Sequence, residues 1–292
     1  MKNSYRYAGQ SAILLCAILW STSGLFIRLM DWDPAVIVGT RSFLAVLLLL
    51  SIRLKQGNLK EILSHITNGF WYAATMILFV YANKLTFAAN SILLQYTAPI
   101  WACLLAWFYL KEKPHWEHWI ALCLVCFGML LVFGDGLTGG SLLGDSLSLI
   151  SGITFAVSSV MIRKHEEGNP LDIMICAHLL TVLYSIPFLF IYPPQLNTAN
   201  VLSVLYMGIF QIGLASILYV YGMKRVRTVQ AMLTAAIEPV LNPVWVLLVL
   251  GEMPAISVIG GGVIIITAIT FSSLVTRQRE VNIEKVSKSE SQ

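Results

Sequence analysis

Two ionisable residues sit where an apolar chain has least reason to keep them. Glu238 lies near the middle of the apolar stretch 228–250, directly before Pro239, and Arg41 lies inside the stretch 34–54. A charge in an apolar medium costs several kcal/mol unless it is paired or hydrated, so such groups mark substrate paths, proton relays or buried ion pairs. Pro239 removes a backbone donor and frees the carbonyl four residues earlier, so a helix can kink or open beside Glu238. Asn242 and Pro243 follow, adding a polar group and a second break. Two chemistries suit Glu238: holding a substrate ammonium, or carrying a coupling proton. Two structural roles suit it as well, capping exposed backbone or pairing with Arg41. Arg41 in turn is placed to contact a substrate carboxylate or to snorkel toward the outer headgroups.

Further polar and aromatic groups interrupt other apolar stretches. Pro99 breaks a second helix, with Gln95 one turn before it, Tyr96 alongside and Trp101 beyond. Trp20 opens the run Ser21, Thr22, Ser23, Gly24; Tyr81 precedes Asn83; Gln211, Tyr219 and Tyr221 share one stretch. An amphipathic aromatic wall with a few amides suits a small zwitterionic or aromatic metabolite. Tyr81 and Tyr221 are expected to face each other across the molecule. Trp71, Tyr72, Trp116 and Trp119 lie at span ends and are expected in the interfacial aromatic belts. His178 reads as an interhelical hydrogen-bonding group. His115 and His118 have no second ligand cluster nearby, so no metal site is expected. Cys123 and Cys126 are spaced CxxC, but they sit with Cys16, Cys103 and Cys176 in apolar helical settings, which suits packing rather than redox or metal chemistry. No P-loop, Gly-x-Ser-x-Gly or intramembrane metalloprotease motif occurs, against an ATP-driven pump and hydrolases of these kinds; no cofactor is expected.

The elements that must position these residues follow from composition. Hydrophobic residues make up 57% of the 292 and charged residues only 12%, with mean hydropathy +0.76; a soluble domain carries about 25% charged residues. The outward faces therefore need an apolar solvent, which a bilayer supplies. A hydrocarbon core about 30 Å thick needs about 20 apolar residues of helix. On that ruler the chain divides into ten spans, at 8–30, 34–54, 66–86, 88–110, 116–134, 142–163, 171–191, 199–223, 228–250 and 255–275. The first is too long for a signal-peptide core and reads as an uncleaved span. Helices are required because lipid offers no partner to free backbone groups.

Charge sets the orientation. Of the 19 Lys and Arg, all but Arg28, Arg41 and Lys84 fall on one side of the spans. The positive-inside rule makes that side, with both termini, cytoplasmic. The net charge of +4 is too modest for a nucleic-acid footprint.

The chain also repeats itself. At one constant separation Tyr81 meets Tyr221, Lys84 meets Lys224, Pro99 meets Pro239, Glu112 meets Glu252 and Pro114 meets Pro254. At a slightly shorter one Gly9 meets Gly144, Trp20 meets Phe155 and Arg28 meets Arg163. Each half holds five spans, and an odd number turns the second half upside down relative to the first. The expected fold is thus all-α, a polytopic membrane protein of ten transmembrane helices in two inverted five-helix repeats. Residues 1–137 form the first, 138–276 the second, and 277–292 a disordered cytoplasmic tail. Inverted repeats are a common architecture of secondary transporters, in which two such halves exchange shapes and open to either side in turn. Small residues in 142–163 (Ser148, Ser151, Gly152, Ala156, Ser159) and Gly260, Gly261 and Gly262 mark close helix packing.

The segments YTAPIWACLLAWFYLKE (Tyr96–Glu112) and IEPVLNPVWVLLVLGE (Ile237–Glu252), with the Arg41-led start of the second span, resemble the EamA-like branch of the drug/metabolite transporter superfamily. Lys111 stands where Gly would be usual before the Glu, whereas Gly251 keeps the pattern. The resemblance spans nearly the whole chain except the tail. It implies a secondary transporter of a small metabolite, such as an amino acid or aromatic compound, most often an exporter, in the inner cell membrane. The implied partners are a small-molecule substrate and the bilayer, with protons a candidate coupling ion and a monomer or homodimer as the assembly. Uptake or exchange is the neighbouring alternative. An intramembrane lipid-modifying enzyme is the more distant one, and would need polar groups clustered at one interface.

Overall fold

The computed structural model describes residues 2–28, 30–55, 62–86, 88–133, 141–164, 169–250 and 256–290. Among them every regular element is helical, as expected of a chain whose backbone must satisfy itself in lipid. The helices are α1 (Lys2–Ser21), α2 (Ser23–Arg28), α3 (Pro34–Lys55), α4 (Ile66–Leu85), α5 (Ala88–Gln95), α6 (Ala98–Leu110), α7 (Trp116–Phe133) and α8 (Leu142–Lys164). There follow α9 (Leu171–Ile191), α10 (Thr198–Tyr206), α11 (Ala215–Met223), α12 (Thr228–Ala235), α13 (Glu238–Leu250) and α14 (Ile256–Glu290). A 3₁₀ turn, Ile62–His65, leads into α4, and a π-helical segment, Met207–Leu214, joins α10 to α11.

Six stretches are long and apolar enough to cross a membrane: Pro34–Lys55, Asn90–Leu110, Leu142–Lys164, Leu171–Ile191, Thr198–Met223 and Ile256–Thr276. Tyr7–Ser21, Trp116–Val132 and Thr228–Leu241 are shorter apolar helices. The protein is therefore a polytopic helical membrane protein. The remaining long helix, α4, carries Thr75 and Asn83 and lies against α8 and α9.

Three helical runs break for local reasons. In a continuous helix the amide of residue 99 would bond the carbonyl of Gln95, but Pro99 has no amide hydrogen, and the chain turns at Tyr96 and Thr97 before α6 resumes. Thr97 bridges the turn by donating to the Leu94 carbonyl at 2.7 Å. Pro239 does the same to α12 and α13, whose turn falls at Ala236 and Ile237. Between α1 and α2 the cause is hydroxyls: Ser21 and Thr22 donate to the carbonyls of Ile18 and Leu19, each at 2.7 Å, competing with the helix ladder.

Packing follows a pattern. α4 lies on α8 as α11 lies on α1; α4 meets α9 as the π segment meets α3; α5 and α6 meet α8 as α12 and α13 meet α1. α3 with α9, α6 with α12 and α7 with α14 complete the set. Small residues permit the last pair, since a Cβ on Gly128 would stand 2.8 Å from the Gly261 carbonyl. Of the three consecutive glycines expected to pack, Gly261 makes that contact, whereas Gly260 faces open space.

Ion pairs collect at one end of the bundle. Arg53 at the end of α3 grips Asp172 at the start of α9 through Nε (2.7 Å) and a terminal nitrogen (3.0 Å), both side chains buried. Arg279 reaches Glu117 at the start of α7 at 3.0 Å. That contact bears on the stretch expected to be a disordered tail, because α14 instead continues as helix to Glu290. No Gly or Pro interrupts 277–290.

Asp172→Ala removes the carboxylate facing a buried guanidinium and should cost about 3–5 kcal/mol of stability, read as a lower unfolding midpoint in detergent. Replacing Arg53 with Met and Asp172 with Leu together should recover most of it. An unchanged midpoint for the single variant would contradict this account of the pair.

Candidate functional site

The two proline breaks lie on neighbouring elements, α6 packing on α12. Across them Tyr96 Oη donates to Glu238 Oε2 at 2.6 Å. Glu238 is the first residue of α13, where the helix dipole favours a carboxylate. Cys16 of α1 and Tyr72 of α4 lie within its electrostatic reach. Pro99 and Pro239 are buried behind the two turns.

Next to this pair four aromatic rings from four helices touch. Trp20 (α1) lies 5.1 Å from Tyr219 (α11) and 5.8 Å, edge-on, from Phe155 (α8). Tyr72 (α4) is 6.3 Å from Phe155 and 6.5 Å from Tyr219. Tyr219 Oη and Ser159 Oγ share a 2.5 Å hydrogen bond, which meets the polar need of a buried phenol. Trp20 and Phe155, which correspond between the halves of the sequence, thus meet in space. On the far side of Tyr72 stands His178, its ring 6.1 Å away and its two nitrogens engaged by Ser42 (3.3 Å) and Ser216 (3.1 Å).

Gln95 is held rather than free. Its amide donates to Ser151 Oγ at 3.2 Å, Ser151 donates to the Thr75 carbonyl at 3.1 Å, and Thr75 donates to Thr154 Oγ1 at 2.9 Å. A Cβ on Gly152 would lie 2.7 Å from the Gln95 carbonyl, so the open end of α5 rests directly on α8. The break between α1 and α2 is gripped too, with Trp245 Nε1 donating to Ser21 Oγ at 2.7 Å.

Two expectations are corrected. Tyr81 does not face Tyr221: it accepts a 2.5 Å hydrogen bond from Tyr184, while Tyr221 is exposed and lies under the Arg225 guanidinium, 3.4 Å from ring centre to Cζ. Thr86, just past α4, bonds Asp145 at the start of α8, whereas Met223, ending α11, bonds Arg163 at the end of α8. The C-terminal ends of α4 and α11 therefore point to opposite ends of the bundle and carry the two tyrosines apart. Tyr72 is not a belt residue either, being buried at the aromatic centre; Trp116 and Trp119 are exposed. Arg41 is buried without an ion pair to Glu238 or any other carboxylate among the described residues. The side chains of Asn242 and Pro243 lie outside the described residues. Among the described residues no group of three His, Cys, Asp or Glu is arranged to hold a metal. Phe155 and Tyr72 went unremarked as site residues; the recurrence of Tyr72, Thr75 and Met76 on one face of α4 was the available signal.

An all-helical membrane protein with helices broken against one another around a mixed polar and aromatic centre has the build of a solute carrier. Comparison with known proteins agrees: the chain belongs to the EamA-like transporter family, which matches it over residues 8–134 and again over 142–274. An uncharacterized transporter of Clostridium kluyveri is 24% identical, over 94% of each chain. The uncharacterized transporter YoaV of Bacillus subtilis is 22% identical, over 92% of this chain and 98% of its own. A crystal structure with 20% sequence identity superposes with a TM-score of 0.80, covering 96% of this chain and 100% of that one, and shares its fold. The protein is a multi-pass membrane transporter of small solutes.

Any side chain at position 152 must push α5 off α8. Gly152→Val should destabilise by about 1–3 kcal/mol, whereas Gly260→Ala, facing open space in a helix, should be neutral or stabilising by up to about 1 kcal/mol. Unfolding midpoints of the two variants measure the contrast, and equal midpoints would refute the packing described.

Proposed function

We propose that the chain is a ten-span secondary transporter of two inverted five-helix repeats, 1–137 and 138–276, that exports a small amphipathic metabolite by alternating access. The observation that carries this reading is the Tyr96–Glu238 hydrogen bond, which joins two proline-broken runs, one from each half, beside the aromatic cluster. The two separate stretches matched by the family support the duplication, as does the way helix neighbours exchange when the halves are exchanged. Charge asymmetry supports placing both termini in the cytoplasm and the chain in the cell membrane. Export follows the family resemblance.

In this mechanism the broken runs provide the site and the rigid helices move around it. Glu238 is the group that answers a substrate ammonium or takes up a proton. Protonation neutralises it, so its link to Tyr96 and to a cationic solute weakens together. At one end of the bundle Glu112 joins three elements: it accepts from Arg163 at 3.2 Å and from the Thr228 amide at 3.1 Å, while Arg163 also donates to the Lys224 carbonyl at 2.7 Å. This cluster is suited to closing the cytoplasmic end in one state and parting in the other.

Two measurements test the proposal. Proteoliposomes screened with amino acids and related metabolites, with and without a pH gradient, should reveal a transported solute whose pH dependence disappears in Glu238→Gln. If no solute crosses under any gradient, the transport mechanism is wrong; if the variant keeps the wild-type pH dependence and affinity, Glu238 has no part in it. Reporter fusions at the N- and C-termini should both read cytoplasmic, and a split result would overturn the ten-span topology.

A further inference from the structure

Arg53, Arg163 and Arg279 each face a carboxylate, but Arg41 does not. Its side chain is only 6% exposed, and Nε is sealed from solvent with no hydrogen-bond partner. A guanidinium stays protonated in proteins, so this is a full positive charge held inside a membrane bundle. Such a charge needs a compensating anion, and among the described residues none is provided. Snorkelling does not relieve it, because a snorkelling head is exposed and this one is buried.

The surroundings are arranged as a receptor rather than as a counter-charge. Ser42, the next residue, is taken up by His178, whose other nitrogen is taken up by Ser216. Opposite α3 the chain adopts the π segment Met207–Leu214, a geometry frequent at functional sites. Within it Gly208 lets the backbone approach the Arg41 carbonyl, where a Cβ would stand 3.0 Å away. Gln211 in the same segment is buried with its Oε1 unpartnered. From Arg41 the contacts run through Ser42 and His178 to Tyr72, one wall of the aromatic cluster, and both Arg41 and Glu238 lie within electrostatic reach of Tyr72. A basic and an acidic group thus both stand near the cluster, and among the described residues they do not pair with each other.

We infer that Arg41 is the anion-binding subsite of the carrier and that the transported solute bears a carboxylate, with an apolar or aromatic body lying against Trp20, Tyr72, Phe155 and Tyr219. The planar fork of the guanidinium accepts a carboxylate in two parallel hydrogen bonds. This rests on the reading of the chain as a solute carrier with its site at the aromatic cluster. It adds that a carboxylate, more than an amine, is the group that the unpaired Arg41 would hold.

The test uses the purified full-length protein and three probes sharing one ring: 3-phenylpropionate, phenethylamine and phenylalanine, which carry the carboxylate, the amine and both. The two carboxylates should raise the thermal unfolding midpoint of the wild type, and phenethylamine should raise it less. Arg41→Gln should weaken carboxylate binding by about tenfold or more, and Arg41→Lys should keep part of the affinity. Should Arg41→Gln fail to fold, the order of the three probes on the wild type decides alone. The inference is overturned if phenethylamine matches the carboxylates, if no carboxylate binds the wild type, or if Arg41→Gln binds them unchanged. Flux in proteoliposomes without carboxylate preference would remove the subsite and leave the carrier standing. Carboxylate binding dependent on Arg41, without flux of any solute, would do the reverse.

Discussion

A helix that breaks inside a membrane must hand its freed backbone groups to other parts of the protein, because lipid will not take them. Much of this structure answers that demand. The open end of α5 rests on Gly152 and is steadied through Gln95, Ser151 and Thr75. Thr97 bridges the turn into α6 with its hydroxyl and also accepts from Trp101 Nε1 at 3.1 Å. The equivalent break before α13 is built from the same proline and the same turn, and its polar group is Glu238. A costly irregularity has thus been placed where polar groups are wanted, and the rest of the bundle encloses it.

Which parts of this were legible in the sequence depends on the range of the physics involved. The breaks were, because a missing proline amide acts within one turn of helix. The meeting of Trp20 and Phe155 was not, since their correspondence between the halves of the sequence carries no statement of distance. The same silence explains the failure at Tyr81 and Tyr221. Equivalence between halves says nothing about depth, and the corresponding ends of α4 and α11 lie at opposite ends of α8. Tyr72 was obscured because a tyrosine near the start of an apolar stretch suits an interface and a core equally well; the neighbouring helix decides. The π segment left no trace either, since Met207–Leu214 reads as ordinary apolar helix.

The charged groups divide by the same logic. Position along the chain separated residues near helix ends from those within spans, and the ion pairs Arg53–Asp172, Glu112–Arg163 and Glu117–Arg279 gather at the end where basic residues are dense. Pairing itself is a long-range property, and it was not readable. It is what allows α14 to continue past the apolar stretch, since Arg279 has a buried carboxylate to reach, where composition alone suggested disorder.

The repeated sequence carries chemistry in single copy. Where the second half has Glu238 the first has Ala98, and where one half offers the indole of Trp20 the other offers the phenyl ring of Phe155. Two identical halves exchanging shapes would give end states of equal energy. In the sequence correspondence of the halves an acid stands opposite a methyl group. Under the proposed exchange the two orientations would therefore be inequivalent, and the difference would belong to side chains that can change without disturbing the backbone.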